Sequence, residues 1–198
     1  MHGHHMRDFK DCRTVIIWRD PRDIIVSWYY YSLFPTEWTH PKYIEQNRKA
    51  VPFTDIDDIK RNLPSFIDYV YVQQRSPHFT WSEFFDRWFD REDMISTSYE
   101  VLRAQPVQEL MRVAGVMGVE LEEPEAREIV ERYSFEKLTG RRAGEEAKRT
   151  FLRKGVAGDW KNHFTRRAGE VMAQHVGDRL VRSGYERDDT WVNKLPPS

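Results

Sequence analysis

Arg13-Thr14-Val15-Ile16-Ile17-Trp18-Arg19-Asp20-Pro21-Arg22-Asp23-Ile24-Ile25-Val26-Ser27 changes character at its midpoint. The β-branched run closing on Trp18 predicts a buried strand. Asp20 suits a helix N-cap and Pro21 a first helical turn. From Asp23 to Phe34, Ile24, Trp28 and Tyr31 recur at helical spacing. The order is therefore strand, tight turn, helix, with Arg19 at the carboxyl end of the strand. In open α/β sheets ligands bind outside that end.

Outward from this unit, residues 35–80 carry Pro35, Pro41, Pro52, Pro64 and Pro77. Short helices are expected around Tyr43–Lys49 and Ile56–Tyr71. The segment is rich in Trp, Tyr and Phe, which predicts an insertion over one face of a sheet rather than a linker. Trp81–Arg91 has Phe84, Phe85 and Trp88 on one side of a helix. Met94–Tyr99 is a second strand candidate. Helices are expected over Pro106–Met117, with Val107, Leu110, Met111 and Ala114 inward, over Pro124–Tyr133, and from about Arg167 to Ser183. Residues 139–150 are charged and are expected to be mobile. Strands alternating with helices predict an α/β fold, a parallel sheet flanked by helices, in one domain over 1–198.

The chain has 198 residues, of which 32% are charged and 14% aromatic, with a net charge of −1. That length suits one α/β domain. The near-neutral total argues against a nucleic-acid partner. A single cysteine, Cys12, leaves no intrachain disulfide framework and fits a reducing, cytoplasmic setting. No apolar run approaches the ~20 residues of a membrane span.

Two segments have the chemistry to hold an anion. Arg19 leaves the strand and Ser27 lies on the following helix, so folding the helix back brings a guanidinium and a hydroxyl toward one volume. Alternatively, Arg19 pairs with Asp20 or Asp23 and Ser27 only caps a turn. Far along the chain, Arg153-Lys154-Gly155-Val156-Ala157-Gly158-Asp159-Trp160-Lys161-Asn162 packs two cations beside glycine. Glycine lets backbone approach a phosphate closely. The other reading of that stretch is a solvated basic patch with Trp160 in the core. Two such segments suggest one nucleotide held from two sides.

Together these segments resemble the sulfotransferases that use 3′-phosphoadenosine 5′-phosphosulfate (PAPS). Trp18 to Tyr30 is similar to the family's 3′-phosphate strand–helix segment, and Arg153 to Asn162 to its C-terminal nucleotide loop. Between them, Tyr99-Glu100-Val101-Leu102 before Pro106 resembles a Tyr-Glu-Asp-Leu segment, with Val101 in the Asp place. Ser134-Phe135-Glu136-Lys137-Leu138 resembles the family's Ser-Phe segment. The four occur in the family's order from about Cys12 to Gly184.

The resemblance implies a P-loop-NTPase-like sheet, PAPS as co-substrate without a metal, and a small acceptor bearing a hydroxyl or amine. It implies that Arg19 and Ser27 hold the 3′-phosphate and that Arg153, Lys154 and Gly155 close over it. Phe135 would stack on adenine and Tyr99 would meet the base edge; residue by residue, Phe135 reads first as a core helix residue, and Tyr99 reads as well as a strand-end aromatic as a ligand contact. The aromatic span from Trp28 to Trp88 would line or cover the acceptor pocket. A histidine base upstream of the Arg-bearing strand would be His4, then His2 or His5, although these lie closer to Arg19 than in the family and also read as a terminal His cluster.

Two departures stand out. The family's P-loop-like Pro-Lys-x-Gly-Thr-Thr-Trp is not in this sequence, and eighteen residues precede Arg19. The expectation is a sulfotransferase-like chain without its first βα unit, whether fragment, misassigned start or truncated relative. A non-catalytic homologue holding 3′-phosphoadenosine 5′-phosphate (PAP), or serving in an assembly, is the alternative. Lys161, Thr165 and Glu170 match the spacing of the family's dimer motif, but Arg166 replaces its Val, so a homodimer is open and weakly supported.

Overall fold

The computed structural model describes residues 13–73 and 78–197. Strand β1 (Val15–Trp18) pairs in parallel with β2 (Ile95–Ser98), with Val15 opposite Ile95 and Trp18 opposite Ser98. Helix α1 (Pro21–Leu33) follows β1, with Pro21 in the first turn and the Asp20 carboxylate accepting the Arg22 N–H as an N-cap. Helices α2 (Pro41–Ala50), α3 (Ile59–Gln73) and α4 (Trp81–Trp88) precede β2. Thr80 and Glu83 start α4 with a reciprocal capping box.

After β2 come α5 (Tyr99–Ala104), α6 (Pro106–Met117), α7 (Glu123–Arg132) and α8 (Phe135–Thr139). Ser98 caps α5 through the Val101 N–H, so the chain turns from strand to helix without a loop. A 3₁₀ turn at Asp159–Asn162 leads to α9 (Arg166–Val176) and α10 (Arg179–Arg182).

Two local expectations are corrected. The single helix expected from Arg167 to Ser183 is broken at Gly177, whose φ of 55° is left-handed and ends α9. In α6 the expected inward stripe is half-buried, and Glu109, paired with Arg112, is the buried residue. On α1, Ile25, Val26, Tyr29 and Leu33 are buried in the core, and Trp28 packs against its edge.

The main core joins α1, α3 and α9 with Trp160 and Trp191. Tyr29, Leu33, Phe66 and Met172 are fully buried there, and each apolar side chain of this size stabilises by about 1.5–3 kcal/mol. The Tyr29 hydroxyl donates to the Ile56 carbonyl and accepts from Asn62, both at 2.9 Å. These bonds fasten the 35–80 region to α1. A smaller core places Ile16 and Trp18 of β1 against Phe85 and Trp88 of α4. Among the described residues, no helix is long and apolar enough to cross a membrane.

Candidate functional site

A cavity of about 950 Å³ opens where β1 ends. Arg19, Ser27, Tyr99, Phe135, Arg153, Lys154 and Gly155 all line it. Residues more than a hundred positions apart thus meet on one surface. Beyond them the lining becomes aromatic, with Trp28, Tyr31, Tyr71, Phe79, Trp81 and Phe84. The Ile24–Trp28–Tyr31 stripe faces this cavity.

Arg19 is half-buried, and its guanidinium carbon stands 4.4 Å from the centre of the Tyr99 ring. Its Nε is buried with no hydrogen-bond partner among the described residues. An arginine N–H left so in a cavity wall suits an anionic ligand, because a buried unpaired donor is costly. Arg19 therefore does not take Asp20 as its partner. Arg22 does: its Nε and Nη2 grip the Asp20 carboxylate at 2.9 and 2.8 Å, and Nη1 reaches Glu186. The Arg22 guanidinium lies 3.7 Å from the Trp160 ring centre and 4.7 Å from that of Trp191. At 1% exposure it belongs to the scaffold, which frees Arg19 for the cavity. Asp20 also caps α1, so its own carboxylate occupies that helix terminus.

The second cationic segment is held by two carboxylates. Arg153 and Lys154 both pair with Asp159, and Arg153 also pairs with Glu146. Asn162 donates to Asp159, and His163 lies 3.2 Å from it. Burial would raise the Asp159 carboxyl, but the bonds from His163, Lys154, Arg153 and Asn162 outweigh it and hold the group well below the usual carboxylate range. Asp23, on α1, accepts the N–H groups of Gly158 and Trp160 at 2.6 and 2.8 Å. Burial raises its carboxyl, against those two bonds and the nearby Arg19.

Gly155 has φ 66°, and a Cβ built on it would stand 2.3 Å from Cδ2 of Phe135. Phe135, 8% exposed, is both a packed residue and part of the cavity wall. The Arg141 guanidinium carbon lies 5.1 Å from the centre of the Phe135 ring. The same guanidinium donates to the carbonyls of Glu145 and Arg153 at 2.7 and 2.9 Å. One charge of the 139–150 segment thus organises the loop itself. At the rim, the Phe151 N–H donates to Glu37 at 3.2 Å, and the Trp38 and Phe151 rings lie 5.4 Å apart.

Tyr30 and Arg103 also line the cavity and were not singled out from sequence. Arg153 lies over the Tyr30 ring at 4.5 Å, and burial pushes that phenol up to about 12. Arg103 follows Tyr99 by one helical turn, the i,i+4 relation that puts two side chains on one face. Recognising α5 would have revealed it. His2, His4 and His5 lie outside the described residues. Among the described lining residues there is no histidine. The segment with dimer-motif spacing is engaged within the chain: Thr165 caps α9, and the Arg166 N–H donates to the Pro196 carbonyl at 2.7 Å.

A parallel strand–helix unit of an α/β protein thus places a cation at the strand's end, facing a cationic glycine loop across one cavity. The family model for the sulfotransferase domain matches residues 5–184, and the chain belongs to that family. It is 25% identical over 193 residues to sulfotransferase 1C2 of Oryctolagus cuniculus, covering 89% of this chain and 55% of that protein. Against sulfotransferase 1C2 of Rattus norvegicus it is 29% identical over 185 residues, covering 84% and 55%. The chain thus spans about half the length of these relatives. Its fold is similar to that of mouse sulfotransferase SULT7A1 complexed with PAP, at TM-score 0.60 and 18% identity, covering 92% of this chain and 62% of that one. Retinol dehydratase, in complex with androsterone and PAP, gives TM-score 0.54 at 18% identity, covering 85% and 47%.

Proposed function

We propose that the chain is a sulfotransferase that moves a sulfuryl group from PAPS onto the hydroxyl or amine of a small molecule. The observation that carries this reading is the convergence of Arg19, Ser27, Tyr99, Phe135, Arg153, Lys154 and Gly155 on one cavity wall. Arg19 offers a guanidinium fork and Ser27 a hydroxyl to the 3′-phosphate, and Arg153, Lys154 and the Gly155 backbone approach it from the other side. Phe135 supplies a face for adenine, and Tyr99, under Arg19, meets the base edge. The aromatic wall from Trp28 to Phe84 takes an apolar acceptor and excludes water from it.

In the reaction, the acceptor oxygen or nitrogen attacks sulfur in line, the bond from sulfur to the bridging phosphate oxygen breaks, and PAP departs. A base removes the acceptor proton as the new bond forms. We assign that role to His4, with His2 and His5 as alternates. A cytoplasmic setting completes the reading.

The test is transfer of label from radiolabelled PAPS to a panel of phenols, alcohols and amines. The expected product is a labelled sulfate ester or sulfamate. Tight PAP binding without transfer to any acceptor would contradict the enzymatic reading and favour a PAP-holding homologue.

A further inference from the structure

The two halves of the proposed phosphate site come from opposite ends of the chain, so something must hold them in register. Arg19 and Ser27 flank the first turns of α1, and Arg153, Lys154 and Gly155 belong to the loop entering the 3₁₀ turn at Asp159. Asp23 lies between Arg19 and Ser27, one helical turn before Ser27. Its two oxygens reach across to the loop, Oδ2 accepting from the Gly158 N–H and Oδ1 from the Trp160 N–H. It is 1% exposed.

The choice of partners is informative. Asp20, also buried, is neutralised by the forked contact from Arg22. The direct hydrogen-bond partners of Asp23 are two backbone N–H groups of a loop 135 and 137 positions away. Keeping an ionised carboxylate in such a place is costly unless it accepts strong bonds. These two bonds fix both the distance and the rotation of the loop relative to α1. Gly158, at φ 80°, supplies the left-handed turn that points both N–H groups the same way.

We propose that Asp23 is a positioning residue for the 3′-phosphate: it registers the Arg153-Lys154-Gly155 loop against Arg19 and Ser27. This rests on the reading that those five residues hold that phosphate. Asp23→Asn keeps the size of the side chain but can accept only one of the two N–H groups, because its amide nitrogen is itself a donor. The loop then shifts or rotates while the rest of the cavity stays.

The experiment compares PAP with adenosine 5′-phosphate, which lacks the 3′-phosphate, by calorimetric titration of the full chain and of Asp23→Asn. The wild type binds PAP more tightly. In the variant, PAP affinity falls by about tenfold or more, equivalent to about 1.4 kcal/mol, and adenosine 5′-phosphate affinity holds. A folded variant with the wild-type affinity ratio overturns the proposal, as does an equal loss for both ligands, which is the mark of a merely structural role. Asp23→Ser is the second variant, since its hydroxyl also accepts one N–H. If both variants are unfolded even with saturating PAP, Asp23 is a folding residue and the proposal fails. A wild type that does not distinguish the two nucleotides instead sinks the underlying assignment of the phosphate site, whatever Asp23 does.

Discussion

Gly155 presses its backbone against the Phe135 ring so closely that a methyl group on its Cα would stand 2.3 Å from Cδ2. Its φ of 66° also lies where an L side chain is strained. The two effects act together at the wall of one cavity. Gly155→Ala should therefore destabilise the fold by more than about 1 kcal/mol and weaken PAP binding by displacing either Phe135 or the loop. Urea unfolding and calorimetry check the two halves. Unchanged stability and affinity would mean the loop and the ring do not meet in this way.

Arg22 should matter for folding more than for ligand. Its charge is balanced by Asp20 and Glu186, and its guanidinium lies against the rings of Trp160 and Trp191. Arg22→Ala leaves Asp20 buried without its partner and should cost about 3–5 kcal/mol, the usual loss when one member of a buried pair is removed. Arg22→Lys keeps a charge but not the fork or the stacking, so it should recover little of that stability. Denaturant midpoints measure both. A loss below ~1 kcal/mol for the alanine variant would mean the pair is exposed to water in solution.

Acid should weaken the protein partly through Asp159. Its carboxyl is held below the ordinary value of 3.8 in the folded chain. Its stabilising contribution is therefore complete above that value and is lost as the pH falls from there toward the depressed folded value. Asp23 has the opposite sign, since burial raises its carboxyl and makes its ionisation costly as pH rises through the raised value. Stability measured from pH ~7 to pH ~2 should fall at the acid end, and Asp159→Asn should flatten that limb. Identical limbs in both proteins would show that Asp159 is not the group responsible.

The strand–turn–helix unit was legible because its signals are local. Three β-branched residues, a capping Asp20 and Pro21 each act on their own neighbourhood. Of the two cationic segments, the first was legible because Arg19 ends the strand, and the second because charge and glycine sit side by side. Other features depend on packing. Helix α1 is apolar around much of its surface, so periodicity alone did not tell that Ile25, Tyr29 and Leu33 face the core while Ile24, Trp28 and Tyr31 face the cavity. Arg19 and Arg22 both flank Asp20, and nothing local says which turns inward; Trp160 and Trp191 decide it from the far end of the chain. The bonds of Asp23 to Gly158 and Trp160 have no sequence signal at all. Helix α5 has no periodic signal in the sequence, because its six residues have no buried face.

The central claim is that one nucleotide phosphate is held from both ends of the chain, and calorimetric titration with PAP tests it most directly. The wild type should bind at one site per chain. Arg19→Ala and Lys154→Ala should each lose ~1.5–3 kcal/mol, the range for hydrogen bonds to charged groups. Absence of binding at millimolar PAP, or full affinity in both variants, would contradict the account.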